Sequence, residues 1–263
     1  MCQLMGMSAN VPTDARFSFT GLVERAGHTD IHRDGWGITF YQGVGVQEFR
    51  GLNAGAECVI AELIKQQCIK SDIVVSHIRQ ANVGAITLEN AHPFRRELWG
   101  RYFTFAHNGQ LEQIFGTLPL SRYTPVGSTD SEYIFCWLLG EIARAYPEPP
   151  EDPNELYELI YQRAAQLHPR GVFNFLFTDG EVLIAHCSNH LHWITRRAPF
   201  GEALLKDIEL SVNFADETKP SDVVTVLATQ PLTCNEVWTK MESGEMVVLR
   251  AGELVRRFSP SSA

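Results

Sequence analysis

The alternation of apolar and polar positions changes period along the chain, and the changes divide it into elements. WGITFYQ (36–42) and VQEFRGL (46–52) are short, β-rich and separated by glycines. DIVVSHI (72–78) and RYFTFAH (101–107) have the apolar density of buried strands. GVFNFLFTDGEVLIAH (171–186) places Asp179-Gly180 between two apolar runs and predicts a hairpin. HWITR (192–196), VVTVLAT (223–229) and GEMVVLRAGELVRRF (244–258) add strands, the last with a tight turn at Ala251-Gly252. CQLMGM (2–7) reads as a first strand.

Four stretches shift to helical spacing. ARFSFTGLVERAG follows Thr13 and Asp14, residue types that cap helices. AECVIAELIKQQC puts Val59, Leu63 and Ile64 on one side. In STDSEYIFCWLLGEIARAY, Thr129 and Glu132 fit a capping box, and Ile134, Trp137, Leu138 and Ile142 form the apolar stripe. NELYELIYQRAAQL repeats that stripe with Leu156, Leu159, Ile160 and Ala164. AYPEPPEDPN, between the last two, holds four prolines in ten residues and predicts an irregular loop within one domain. Strands come in runs and helices in pairs. This favours an α+β layered fold with mostly antiparallel sheets over a regular βαβ alternation. No G-x-G-x-x-G or G-x-x-x-x-G-K-[ST] motif supports a nucleotide-binding fold.

Composition narrows the function classes. The chain has 263 residues, a net charge of −9, a pI near 5.5 and a mean hydropathy of −0.11. The acidic balance argues against a general nucleic-acid binder, and RRELWGR and ITRRAP read as solvated surface. No run reaches the roughly 18 apolar residues of a membrane span, and no basic-then-apolar start marks a secretory signal. The six cysteines, Cys2, Cys58, Cys68, Cys136, Cys187 and Cys234, lack close-paired metal spacing. The expectation is free thiols in a cytoplasmic protein with no metal site and no cofactor.

The chemistry begins at MCQLMGM. If Met1 is removed, Cys2 carries a thiol and a free α-amine on one carbon, a nucleophile and a base in one residue. Chance placement at the start of a strand is the competing reading. AHNGQ contains Asn108-Gly109, by default a type I′ turn; alternatively, the Asn amide and the Gly N–H form an oxyanion site. Arg79, ending a predicted strand in SHIRQAN, is either an exposed structural arginine or a bidentate carboxylate partner. Asp130 in GSTDSE suits a helix N-terminus and equally a substrate ammonium. In HRDGWGITFY, Gly35 and Trp36 are either a turn into a strand or a loop lying close to a substrate.

Taken in order, Met-Cys, DGWGITFY, SHIRQAN, ENAHPF, FAHNGQL, GSTDSEYIF and the late LATQPLTCNEVW resemble a class-II glutamine amidotransferase domain, a member of the N-terminal-nucleophile hydrolases, over nearly the whole chain. The resemblance implies a four-layer α/β/β/α sandwich in a single domain, 1–263. It implies Cys2 as nucleophile with its α-amine as base, and Asn108 and Gly109 as the oxyanion site. Arg79 and Asp130 would then bind the glutamine carboxylate and ammonium, with Asn82, Gly35 and Trp36 shaping the pocket. Many family members carry Thr at the Asn82 position; Asn retains hydrogen-bonding capacity. The chain ends soon after its last strand, so no synthase domain is expected within it. Three functions follow: a glutaminase that delivers ammonia to a separate synthase, a hydrolase of another γ-glutamyl amide, or a binding protein that kept the fold without turnover.

Overall fold

The N-terminal strand occupies the middle of a sheet rather than its edge, and the architecture is arranged around it. The structure, a computed structural model, describes residues 2–81 and 84–260. Its strands run β1 (Gln3–Asp14), β2 (Trp36–Gln42), β3 (Gly45–Gly51), β4 (Lys70–Ile78), β5 (Phe94–Leu98), β6 (Arg101–Leu111), β7 (Gly171–Thr178) and β8 (Val182–His186). They continue as β9 (His192–Arg197), β10 (Glu202–Leu204), β11 (Ser211–Asn213), β12 (Val223–Ala228), β13 (Thr239–Lys240), β14 (Met246–Arg250) and β15 (Glu253–Phe258). One sheet has the order β13-β9-β12-β1-β4-β2-β3, the other β15-β14-β8-β7-β6-β5, and β10-β11 form a small separate pair. Pairing within both large sheets is antiparallel throughout.

Helices α1 (Arg16–Glu24) and α2 (Val59–Gln66) cover the outer face of the first sheet, and α3 (Asp130–Ala145) and α4 (Pro153–Leu167) cover the outer face of the second. A short α5 (Phe214–Glu217) follows β11. Strand periodicity assigns the faces. In β1, Met5, Met7 and Ala9 pack with Phe19 and Leu22 of α1, while Leu4 packs inward with Ala106, Leu176, Leu183 and Leu227. In β6, Phe103 and Phe105 meet Phe135 of α3, and Ala106 faces inward. Three apolar layers therefore separate four structural layers, the α/β/β/α sandwich that was expected.

Several local expectations change. Asn108-Gly109 is not a turn: both residues lie in β6, opposite Asn174 and Phe173 of β7. The RRELWGR segment includes β5, paired with β6, not merely solvated surface. Thr13 and Asp14 end β1, and Ala15 stands at the N-cap of α1, with Asp14 accepting the Arg16 N–H at 2.9 Å. On α2 the buried residues are Ala61 and Ile64, while Val59 is 75% and Leu63 51% exposed. Only half of the α3 capping box forms: Thr129 Oγ1 accepts the Glu132 N–H, but Glu132 takes the N–H groups of Val126 and Gly127 and the Arg96 guanidinium. No helix among the described residues is long and apolar enough to cross a membrane.

Leu176, fully buried between the sheets, tests how far this inner layer can relax. Leu176→Ala is expected to lower unfolding stability by about 2–5 kcal/mol, read from the urea midpoint; a loss below about 1 kcal/mol would show that the sheets collapse onto the void.

Candidate functional site

At one end of the inter-sheet layer the apolar residues give way to polar ones around a cavity of about 150 Å³. Cys2, Arg79, Asn108, Gly109 and Asp130 all line it, joined by Gln80, His92, His107, Gln110, Thr129, Ser131 and Val172. The elements bring them together by their ends: Cys2 immediately precedes β1, Arg79 immediately follows β4, Asn108-Gly109 fall late in β6, and Asp130 is the first residue of α3.

The Cys2 thiol accepts the Gln80 N–H at 3.3 Å and lies 3.5 Å from the Gln80 carbonyl oxygen. Burial raises its pKa; the Gln80 N–H and the nearby Arg79 charge act against that rise. The resting group is thus a protonated thiol.

Arg79 is held from both sides. Its backbone N–H donates to Gly35 O at 2.7 Å, its carbonyl accepts the Asp34 N–H at 3.2 Å, and Asp34 Oδ2 accepts the Ala81 N–H at 2.8 Å. Its guanidinium donates to Ala85 O at 3.0 Å and Gly84 O at 3.3 Å, which fixes it at the cavity wall. Gly35 therefore acts through its backbone and does not line the cavity. Its φ of +130° and its proximity to Gly51 O require glycine there. Trp36 also lies away from the cavity. By strand parity it points to the outer face, packed 6.1 Å from Phe19. Asn82 and Met1 lie outside the described residues.

Asn108 points inward. Its Nδ2 donates to Thr229 Oγ1 at 3.2 Å, and its carbonyl accepts from Asn174 Nδ2 at 3.0 Å. Gly109 admits no other residue, because a Cβ there would fall within the Val172 carbonyl. Asp130 Oδ2 accepts the Leu111 N–H at 2.9 Å, and Oδ1 faces Ser131 Oγ at 3.3 Å.

Two of the lining residues, His92 and His107, belong with His77 to a set of buried histidines that sequence reading did not single out. His107 Nε2 donates to Val172 O at 3.0 Å, so in the neutral ring Nδ1 is an acceptor, supplied by Ser131 Oγ at 2.9 Å. His77 Nε2 donates to His107 O at 3.1 Å, and His92 stacks on His77 with centroids 4.1 Å apart. Burial pushes all three pKa values down, His77 to about 3. Asp130 partly opposes this at His107. The signal that could have found them is their immediate adjacency to motif residues, His107 to Asn108 and His77 one position before Ile78-Arg79. The six cysteines are free thiols. Among the described residues no group of three or more His, Cys, Asp or Glu is arranged to hold a metal ion.

Known proteins resemble this chain over nearly its whole length. The family model described as class-II glutamine amidotransferases matches residues 1–263. The chain is 52% identical over 255 residues to YafJ of Escherichia coli (strain K12), a predicted glutamine amidotransferase, covering 97% of this chain and 100% of that protein. A crystal structure of a predicted glutamine amidotransferase from Pseudomonas aeruginosa PA01 matches with a TM-score of 0.77 and 50% identity, over 97% of this chain and 100% of that one. Glutamine phosphoribosylpyrophosphate amidotransferase from B. subtilis matches with a TM-score of 0.64 over 98% of this chain and 49% of its own; at 17% identity that likeness concerns the fold alone.

The histidines make stability depend on pH. In an unfolded chain each titrates near about 6.5, whereas burial holds His77 at about 3 and His186 at about 4 in the folded protein. Within that window the unfolded chain binds protons that the native protein does not. Stability present above pH 6.5 is therefore lost as the pH falls toward 4, by up to about 1.4 kcal/mol per pH unit for each histidine. The urea midpoint is expected to be clearly lower at pH 4.5 than at pH 7; equal midpoints would contradict the assignment.

Proposed function

The chain belongs to the class-II glutamine amidotransferases, and from that premise we propose that its single domain, 1–263, hydrolyses a γ-glutamyl amide, glutamine in the simplest case, through a thioester on Cys2. The observation that carries this reading is the convergence of Cys2, Arg79, Asn108, Gly109 and Asp130 on one cavity. Free glutamine presents a carboxylate and an ammonium at one end and an amide at the other. Arg79 and Asp130 are a cation and an anion matched to the first end. Cys2 and the Asn108-Gly109 pair suit the second.

The reaction requires removal of Met1, which frees the α-amine of Cys2. The neutral amine takes the thiol proton, and Sγ attacks the amide carbon. The carbonyl oxygen becomes an oxyanion, and Asn108 Nδ2 and the Gly109 N–H donate to it. The protonated α-amine then gives its proton to the departing nitrogen, releasing ammonia or an amine and leaving the γ-glutamyl thioester. Water, deprotonated by the same amine, hydrolyses the thioester to glutamate and returns the thiol. The raised thiol pKa supports this assignment, since a buried thiol held protonated gains most from a base on its own backbone. Ammonia released in this way would serve a synthase carried on a separate protein. The match to the B. subtilis enzyme spans about half of that enzyme's length.

The test is a panel of γ-glutamyl amides assayed on protein whose N-terminus is verified by intact mass. Glutamate release by the processed protein, abolished in Cys2→Ala and absent when Met1 is retained, is the expected outcome. Release only from amides other than glutamine would assign a different leaving amine. No release from any of them, with no labelling of Cys2 by a glutamine-analogue electrophile, would refute the reading. Arg79→Lys loses the bidentate fork and is expected to raise KM about 10–100-fold, with a smaller change in kcat; an unchanged KM would remove Arg79 from carboxylate binding.

A further inference from the structure

Thr229 lies one residue beyond β12, outside the cavity, and is 3% exposed. It belongs to the late LATQP stretch, and strand parity with Thr225 and Leu227 turns it inward, toward the second sheet. Its hydroxyl oxygen accepts two hydrogen bonds, from the Leu4 N–H at 2.9 Å and from Asn108 Nδ2 at 3.2 Å. Its own N–H donates to Leu4 O at 3.1 Å, and its carbonyl accepts from His192 Nδ1 at 3.0 Å. Leu4 is two residues from Cys2 on β1, in the first sheet. Asn108 is on β6, in the second. One hydroxyl thus joins the strand that follows the nucleophile to the strand that holds the oxyanion donor.

We infer that Thr229 is a positioning residue: its hydroxyl fixes the Asn108 side-chain amide relative to Cys2. The inference rests on the function proposed above. The layer between the sheets is apolar and its attraction is non-directional, so it sets a spacing but not the orientation of an amide plane. The terminal torsion of asparagine is broad and needs an external partner to hold it. Asn108 Oδ1 is buried and has no partner among the described residues, and Asn174 holds only the Asn108 backbone carbonyl. The bond to Thr229 is therefore the one that orients the amide. Nδ2 carries two protons. Thr229 takes one, and the other is left to donate to an oxyanion, where a donor must stand about 2.7–3.1 Å from the developing charge.

Thr229→Val keeps the branched shape and removes the acceptor. With the amide panel and the N-terminally processed protein, kcat is expected to fall about 10–100-fold, with KM within about threefold of wild type, because only the transition state uses the oriented proton. Thr229→Ser restores the acceptor and is expected to return kcat to within about threefold. In an Asn108→Ala background Thr229→Val is expected to add little, since its effect runs through that amide. If Thr229→Val does not fold, Thr229→Cys, with a weak sulfur acceptor of similar bulk, carries the same comparison. An unchanged kcat, a change confined to KM, or a full additional loss in the Asn108→Ala background would overturn the inference. If the wild-type protein cleaves no amide, the proposed function falls, and the inference is read from the Asn108 side-chain amide by nuclear magnetic resonance. A shift of its Nδ2 proton resonances in Thr229→Val supports the inference, and unmoved resonances overturn it.

Discussion

The close packing of the two sheets across their inner faces is the constraint on which the site depends. A Cβ at Gly6 would stand 3.0 Å from Leu183 and 3.1 Å from Leu176, so β1 approaches the second sheet as nearly as a glycine allows. Ala106 and Ala185 keep the opposing face shallow. Interiors packed at this density do not deform continuously. The distance between β1 and β6 is thereby set over the whole interface, and the polar groups at its end inherit that distance. Cys2 leads into the first sheet and Asn108 lies in the second, more than a hundred residues away in sequence, yet both line one cavity.

Much of this architecture was legible in the sequence, because periodicity is a local property and most of the elements are regular. Asp179-Gly180 and Ala251-Gly252 stand in the turns expected of them, with Gly180, Gly252 and also Ala251 at positive φ. The stripe Ile134, Leu138 and Ile142 packs as its spacing requires. The misread positions have non-local causes. Asn108-Gly109 has the local signature of a hairpin turn, but its glycine is demanded by the Val172 carbonyl on the neighbouring strand. Val59 and Leu63 share a helix face that tertiary packing leaves exposed. Trp36 adjoins a functional segment yet faces the opposite side of the sheet, a distinction that depends on strand register.

The site residues divide in the same way. Those embedded in recognisable motifs (Cys2, Arg79, Asn108, Gly109 and Asp130) could be chosen from sequence. The groups that hold them could not, save Gly35, which was expected to shape the pocket rather than to hold Arg79. Asp34 and Gly35 clamp the Arg79 backbone, Ser131 and His107 surround Asp130, and Thr229 meets Asn108. Apart from Ser131, which adjoins Asp130, each has its partner far away in the chain, and only the folded arrangement reveals the pairing. The neutral histidines at the cavity wall follow the same logic: they are buried groups rather than charges.

The position of β1 also bears on the order of events in biosynthesis. Met5 pairs with Ala228, so the strand made first gains one of its two neighbours only when the last quarter of the chain has emerged. At about 5–20 residues per second, that interval lasts on the order of tens of seconds. Throughout it β1 can pair with β4 alone, and its other edge stays open. The first sheet can therefore close around its earliest strand only near the end of synthesis, so the order in which β1 gains its neighbours is written into the topology.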